Sequence, residues 1–367
     1  MEMDTTQANG RGNPERASIS FSVDTFAREE HDHQELGLSD SQVLDMYRNM
    51  LLQRRFEERA AQMYGKQKIS GFLHLYIGQE AVSTGAANTI RVGRDSVITA
   101  YRDHGLGLAL GMSADECMAE LFGKQHGCSR GKGGSMHYFS KELGFYGGHG
   151  IVGAHIPVAT GIAFAHKYKE DDGVALCFFG DGAVGQGSFH EALNLAGLYK
   201  LPVVFIIENN QYAMGTAIHR AFAETDFFKH AVGYNMPAAV ADGMDVFDVY
   251  NAITKQVSLA RSFQPSILEI RTYRYRGHSM SDPGNYRTKE ELDSRKNDDP
   301  IIRLKAYIIG RGIGTNEMLD AFDEEVKSIV LRSVEFADND PFPELDEIYD
   351  NVYTQKDYPF LSWQTPR

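Results

Sequence analysis

Cysteine is scarce: the 367-residue chain has three, Cys117, Cys128 and Cys177. No two are spaced Cys-x-x-Cys, so neither a disulfide framework nor a zinc pattern is encoded, and a reducing compartment is the simplest expectation. Long apolar runs are missing too, and nothing approaches the roughly 20 residues that a membrane-spanning helix needs. The first residues, MEMDTTQANGRGNPERASIS, have no apolar signal-peptide core and carry acidic residues foreign to transit peptides. Positive charge is in deficit, with 37 Lys and Arg against 50 Asp and Glu and a formal charge of −13. No basic stripe is left to neutralise nucleic-acid phosphates. These absences predict a soluble, cytoplasmic protein of bacterial type, with the mitochondrial matrix or another organelle as the alternative. They exclude membranes and nucleic acids as partners.

What remains is ordinary for a globular chain: 42% hydrophobic and 24% charged residues, enough to bury one large core. Residues 1 to about 37 are polar and aperiodic and are expected to form a flexible arm, followed by a single α/β domain over 38–367. That domain opens on a capping box, SDSQ at 39–42, before a helical stripe of Leu44, Tyr47, Leu51 and Phe56 with Gly65 as a stop. It closes on a helical extension, with Pro300 near one helix start and an amphipathic DEEVKSIVLRSVEFA. Between them, short β-branched or aromatic runs alternate with helical stretches. The runs are SVITA (96–100), GVALCFF (173–179), PVVFII (202–207), AAVA (238–241) and SILEIRTYRY (266–275). Continuous apolar strands alternating with helices predict a mostly parallel sheet covered on both faces.

Ligands of such sheets bind beyond the carboxyl ends of the strands. Four of the runs lead there into polar residues: YRDHG, GDG, ENN and RGHS. One of these, GDGAVG at 180–185, fits G-x-G-x-x-G, the dinucleotide fingerprint. Asp181, however, would set a carboxylate where a pyrophosphate approaches the turn. A divalent cation between protein and phosphate resolves the conflict, because Mg²⁺ takes one or two carboxylates together with phosphate oxygens. Asp181 then supplies one ligand, and Asn209 or Asn210 an amide oxygen from the next strand end. Gly180 and Gly182 allow close approach, and Arg102 offsets phosphate charge. A nicotinamide oxidoreductase stays open at this point as the reading from a different class. The glycine-rich SRGKGGSMHY lacks the Lys-Ser/Thr ending of a P-loop and reads as a structural loop.

GDG followed, after a helix and a strand, by NN resembles the thiamine-diphosphate motif. GFLHLYIGQEA, AYRDHG, RGKGGSMHY, FYGGHGIVGA, ENNQYAMGT and TYRYRGHSMSDPGNYRT resemble, in that order, the α subunits of the first component of pyruvate dehydrogenase complexes. The resemblance implies a thiamine-diphosphate-binding α/β fold that decarboxylates a 2-oxo acid and passes the acyl unit to the lipoyl domain of a dihydrolipoyl acetyltransferase. It places Mg²⁺ on Asp181, Asn210 and the carbonyl of Tyr212. It places the diphosphate against Tyr101, Arg102, Gly182 and Ala183, and the aminopyrimidine on backbone groups of Gly150 and Val152. His74 and His278 would face the reacting carbon. It further implies a β subunit in an α2β2 heterotetramer, because the glutamate that activates the cofactor lies on another domain. Branched-chain 2-oxo acid and acetoin dehydrogenases share GDG and NN and are the neighbouring alternatives. Ser279 matches a position phosphorylated in mitochondrial relatives. Of the other histidines, His104 and His149 lie near motifs, while His126, His137 and His166 are expected to be surface or hydrogen-bonded core residues.

Overall fold

The computed structural model describes residues 31–350 together with 352 and 354. The expected arm therefore lies, for residues 1–30, outside the described residues. Its last part, 31–37, is seated on the body rather than free. His33 is buried, accepting or donating at both ring nitrogens, with Tyr307 Oη at 2.7 Å and Asp40 Oδ1 at 2.8 Å.

A six-stranded parallel sheet forms the centre among the described residues. Its strands are β1 (Ser96–Ala100), β2 (Phe145–His149), β3 (Ala175–Gly180), β4 (Val203–Asn209), β7 (Ala238–Asp242) and β8 (Ser266–Arg271). A two-residue hairpin, β5 (Tyr212–Ala213) and β6 (Thr216–Ala217), follows β4. The sheet order is β2-β1-β3-β4-β8-β7, so the chain leaves β1 to one side for β2 and returns to its other side for β3. That reversal opens a crevice at the carboxyl ends of β1 and β3.

The helices are α1 (Asp40–Gly65), α2 (Glu80–Ala87), α3 (His104–Ala109), α4 (Ala114–Leu121), α5 (His155–Tyr168), α6 (Gly187–Tyr199), α7 (Ile218–Ala221), α8 (Val246–Arg261), α9 (Lys289–Lys296), α10 (Pro300–Gly310) and α11 (Asn316–Asn339). The strand pleat explains how they divide. Leu176 and Phe178 of β3 and Val204 and Ile206 of β4 join the core under α1, α2, α8, α10 and α11. Their alternates Ala175, Cys177 and Phe179, with Val203, Phe205 and Ile207, join the core under α5 and α6. A strand buried on both faces has no polar side, which is why these runs read as unbroken hydrophobes.

Local signals behave as their chemistry dictates. The capping box forms, Ser39 accepting from the Gln42 N–H and the Gln42 side chain accepting from the Ser39 N–H, and α1 ends at Gly65. Pro300 sits in the first turn of α10, where its missing N–H costs nothing. The sequence reading missed β2: FYGGH carries two glycines, poor strand formers, and pairing with β1 overrides that weak propensity. SILEIRTYRY stops as a strand at Arg271, because its neighbour β4 ends at Asn209.

His155, in the first turn of α5, donates from Nε2 to the Phe178 carbonyl at 2.8 Å and stacks on His149. Burial pushes its pKa down to about 4, so the folded protein keeps this ring neutral. A histidine depressed on folding contributes stability above its unfolded pKa of roughly 6.5 and loses it as pH falls toward the folded value. Relative to His155→Gln, wild-type protein is expected to lose about 1.4 kcal/mol per pH unit between pH 6.5 and 4. Urea unfolding of both proteins at pH 7, 6 and 5 checks this through the difference in slope.

Candidate active site

The site is assembled from loops at the carboxyl edge of the sheet. Tyr101 and Arg102 follow β1, Gly150 and Val152 follow β2, and Asp181, Gly182 and Ala183 follow β3. Asn210 and Tyr212 follow β4, and His278 lies in the segment after β8. His74 comes from the connection between α1 and α2.

Two clusters form. In the first, the His74 ring centroid lies 4.7 Å from that of Tyr101 and 5.1 Å from that of His278, with Tyr101 and His278 5.5 Å apart. Arg102 clamps the two histidine segments, donating to the Leu75 carbonyl at 2.6 Å and to the His278 carbonyl at 2.8 Å. Burial, then the charge of Arg102, drives the His74 pKa down to about 2, and the same causes take His278 to about 4. Both rings are therefore neutral at pH 7, and each keeps a buried Nδ1 without a hydrogen-bond partner.

The second cluster surrounds Asp181. Its carboxyl is buried and Oδ2 has no partner, although the charge of Arg274 and then backbone N–H groups of Gly182, Gln211 and Asn210 stabilise its ionised form. Burial outweighs them and lifts its pKa to about 6. Nearby, Asn210 Oδ1 and the Tyr212 carbonyl face the Arg274 guanidinium, whose Nη1 lies 3.5 and 3.4 Å from them. Gly182 is required by packing, since a Cβ there would come within 2.7 Å of Ala213 Cβ, whereas a Cβ on Gly180 would meet open space.

The oxygens fit a small hard cation, and the surroundings fit an anion beside it. Among the described residues no three His, Cys, Asp or Glu side chains cluster as a metal group, and the oxygens gathered here are a carboxylate, an amide and a backbone carbonyl. Arg102 and Arg274 are both buried, and among the described residues their hydrogen bonds go to carbonyl, amide and hydroxyl oxygens rather than to carboxylates, an arrangement that suits a phosphate beside them. Arg274 was not singled out from the sequence. Its only signal was a place inside TYRYRGHSM.

Other expectations can be placed. His104 is buried against the Glu57 carboxylate at 3.1 Å and the Ser135 carbonyl at 3.0 Å, outside the His74–His278 group. His126, His137 and His166 are hydrogen-bonded, to Asp340, the Gly148 carbonyl and Ser96 respectively. Ser279 is buried with its hydroxyl 3.0 Å from that of Ser281. The glycine-rich loop 127–134 wraps a protein carboxylate: Glu120 Oε2 accepts from the N–H groups of Ser129 and Gly131 at 2.8 and 2.9 Å. Its Oε1 accepts from Gly133 and Gly134 at 2.7 and 2.9 Å. The loop's donors are thus consumed internally, and the loop delivers Ser135, whose Oγ accepts the His74 N–H at 3.0 Å.

A family model described as "Dehydrogenase E1 component" matches residues 48–346, from within α1 to just past α11. The chain belongs to the dehydrogenase E1 component family. It is 52% identical over 311 residues to "Pyruvate dehydrogenase E1 component subunit alpha" of Rhizobium meliloti, covering 84% of this chain and 89% of that protein. The protein of the same name from Zymomonas mobilis is 50% identical over 317 residues, 86% of this chain and 89% of its own. "Pyruvate dehydrogenase E1 component subunit alpha-1, mitochondrial" of Arabidopsis thaliana is 45% identical over 321 residues, 86% of this chain and 81% of its own. Membership in the E1 family sets aside the nicotinamide reading of GDGAVG.

Replacing the Glu120 carboxylate by the amide in Glu120→Gln turns an NH2 group toward two of the four N–H donors. Buried donors left unsatisfied cost about 1–3 kcal/mol each, so a loss of about 3 kcal/mol or more is expected. Chemical denaturation of the variant, compared with wild type, measures it.

Proposed function

We propose that the chain is the α subunit of a pyruvate dehydrogenase E1 enzyme. In this reading it uses thiamine diphosphate and Mg²⁺ to decarboxylate pyruvate and transfer the acetyl unit to the lipoyl group of a dihydrolipoyl acetyltransferase. The names of its relatives support the substrate. The site observation that supports the cofactor most directly is the buried, unpartnered Oδ2 of Asp181 beside two further oxygens, a buried polar atom that calls for a partner.

Asp181, Asn210 and the Tyr212 carbonyl would hold Mg²⁺. Tyr101, Arg102, Gly182, Ala183 and Arg274 would surround the diphosphate, and backbone groups of Gly150 and Val152 the aminopyrimidine. When bound, the cofactor supplies the electron sink for the charge left as CO₂ departs. His74 and His278 would hold or accept a proton at their free Nδ1 atoms. Their proton affinity rises once phosphate charge offsets Arg102, because the repulsion from that guanidinium is one cause of their low pKa values. Membranes have no part in this reading, and no described helix is long and apolar enough to cross one. A bacterial cytoplasmic location is proposed with it, as is one domain over residues 38–367.

The partner is a β subunit, in an α2β2 assembly. Exposed apolar side chains support it: Ile151 and Val152 lie beside the site, and Phe164, Tyr168, Leu195, Leu198 and Tyr199 crowd the outer faces of α5 and α6. A helix face this apolar in water marks an interaction surface. The chain expressed alone is expected to be inactive, and co-expression with its β subunit to restore turnover with pyruvate above 2-oxobutyrate, branched 2-oxo acids and acetoin. Decarboxylation by the isolated chain would overturn the division of labour. In the assembled enzyme, Asp181→Ala should abolish Mg²⁺-dependent thiamine-diphosphate binding measured by calorimetry; unchanged affinity would remove the metal assignment.

A further inference from the structure

Asn210 can help a cation only with its oxygen end, and an amide has a donor end of similar size that would repel one. Something must choose which end faces the site. Its Nδ2 donates at 3.1 Å to Oε1 of Gln79, a residue 131 positions earlier in the chain. Gln79 faces the same choice, and its own Nε2 is directed toward Glu208 Oε1 at 3.4 Å. Tyr76 Oη donates to that same oxygen. Oε1 can accept whether Glu208 is ionised or carries a proton on Oε2. The direction therefore propagates: Glu208 accepts, so Gln79 turns its NH2 there and its oxygen to Asn210. Asn210 in turn spends its NH2 on Gln79 and leaves Oδ1 toward the cation side, where Arg274 already faces it.

Three further features set Gln79 apart from an ordinary core amide. It is 1% exposed, so water cannot substitute for its partners. It occupies the N-cap position of α2, yet its side chain gives no cap bond, so that function is forgone for the contact with Asn210. The backbone carrying it is pinned to the segment after β8. Gly78 has φ +102° with the Tyr273 carbonyl against it, and Tyr275 N–H donates to the Ile77 carbonyl at 3.0 Å.

We propose that Gln79 is a positioning residue for the divalent cation: it turns the amide oxygen of Asn210 toward the metal, with Glu208 fixing the direction of Gln79. This rests on the metal assignment above. At Asn210 Oδ1 only the long contacts from Tyr212 N–H at 3.4 Å and Arg274 Nη1 at 3.5 Å favour the oxygen end, so the 3.1 Å bond to Gln79 is the shortest contact that sets the direction.

The test uses the full-length chain purified with its co-expressed β subunit, stripped of metal and supplied with thiamine diphosphate, with Mn²⁺ affinity read by electron paramagnetic resonance. Gln79→Leu is expected to weaken Mn²⁺ binding about 10- to 100-fold, the usual cost of losing a partner behind a metal ligand. Asn210→Asp has oxygen at both ends and needs no orientation, so in that background Gln79→Leu should cost less than about threefold or improve binding. Unchanged affinity in Gln79→Leu would overturn the proposal. An equal loss in both backgrounds would also overturn it, since that result means packing rather than orientation. Asp181→Ala separates the two levels: if it leaves Mn²⁺ affinity unchanged, the metal assignment itself fails. If it abolishes binding while Gln79→Leu has no effect, only the role of Gln79 fails.

Discussion

Parallel pairing of every strand in the central sheet is the constraint from which the site follows. Strands that run in one direction end on one edge, so each loop that leaves a carboxyl end enters the same space. The reversal of order around β1 then opens that edge between β1 and β3. Asp181, Arg102, Asn210 and Arg274 lie far apart in the chain and meet because of this geometry. An antiparallel arrangement of the same strands would divide them between two edges.

Charge is balanced unevenly across the molecule. Structural carboxylates are satisfied: Asp95 by Arg91 and Arg261, Glu80 by Arg54, and Glu120 by four backbone N–H groups. Groups at the site are left incomplete. Asp181 keeps a bare oxygen, His74 and His278 keep bare nitrogens, and Arg102 and Arg274 bond to neutral oxygens. Unsatisfied buried groups are costly, so a fold that gathers several in one place while satisfying carboxylates elsewhere points to a ligand that completes them. The perturbed pKa values share this origin, with burial as the leading cause at Asp181, His74 and His278.

The glycine-rich loop shows how the same backbone chemistry can serve opposite ends. A run of N–H groups in a glycine loop is a ready anion nest. Here the anion is Glu120, 9 to 14 residues earlier in α4, and the loop becomes a rigid bracket for Ser135 and the His74 backbone. Proximity in sequence gives a hint of that pairing. The loop's own composition gives none.

Much of the architecture was legible beforehand, because its causes are local. Strands β3 and β4 announce themselves through unbroken burial, α1 through a capping box, and the proposed metal ligands through a carboxylate lodged between glycines with an asparagine pair one helix and strand later. Strand β2 was hidden by its glycines, the Thr272–Tyr275 segment was read as strand because nothing local marks where a neighbour ends, and residues 31–37 looked free because His33 finds its partners on α10 and α1. Arg274 and Gln79 were hidden for the same reason. Single polar residues carry no periodicity, and partners that orient them lie as far as 64 residues away for Arg274 and 131 for Gln79. The sequence by itself determined the α/β class, the edge that carries the chemistry and the residue types offered to a cofactor, since these depend on patterns within a few residues. Only the tertiary structure decided which end of Asn210 faces the site and which charges go unpaired, since these depend on groups that meet after the chain has folded.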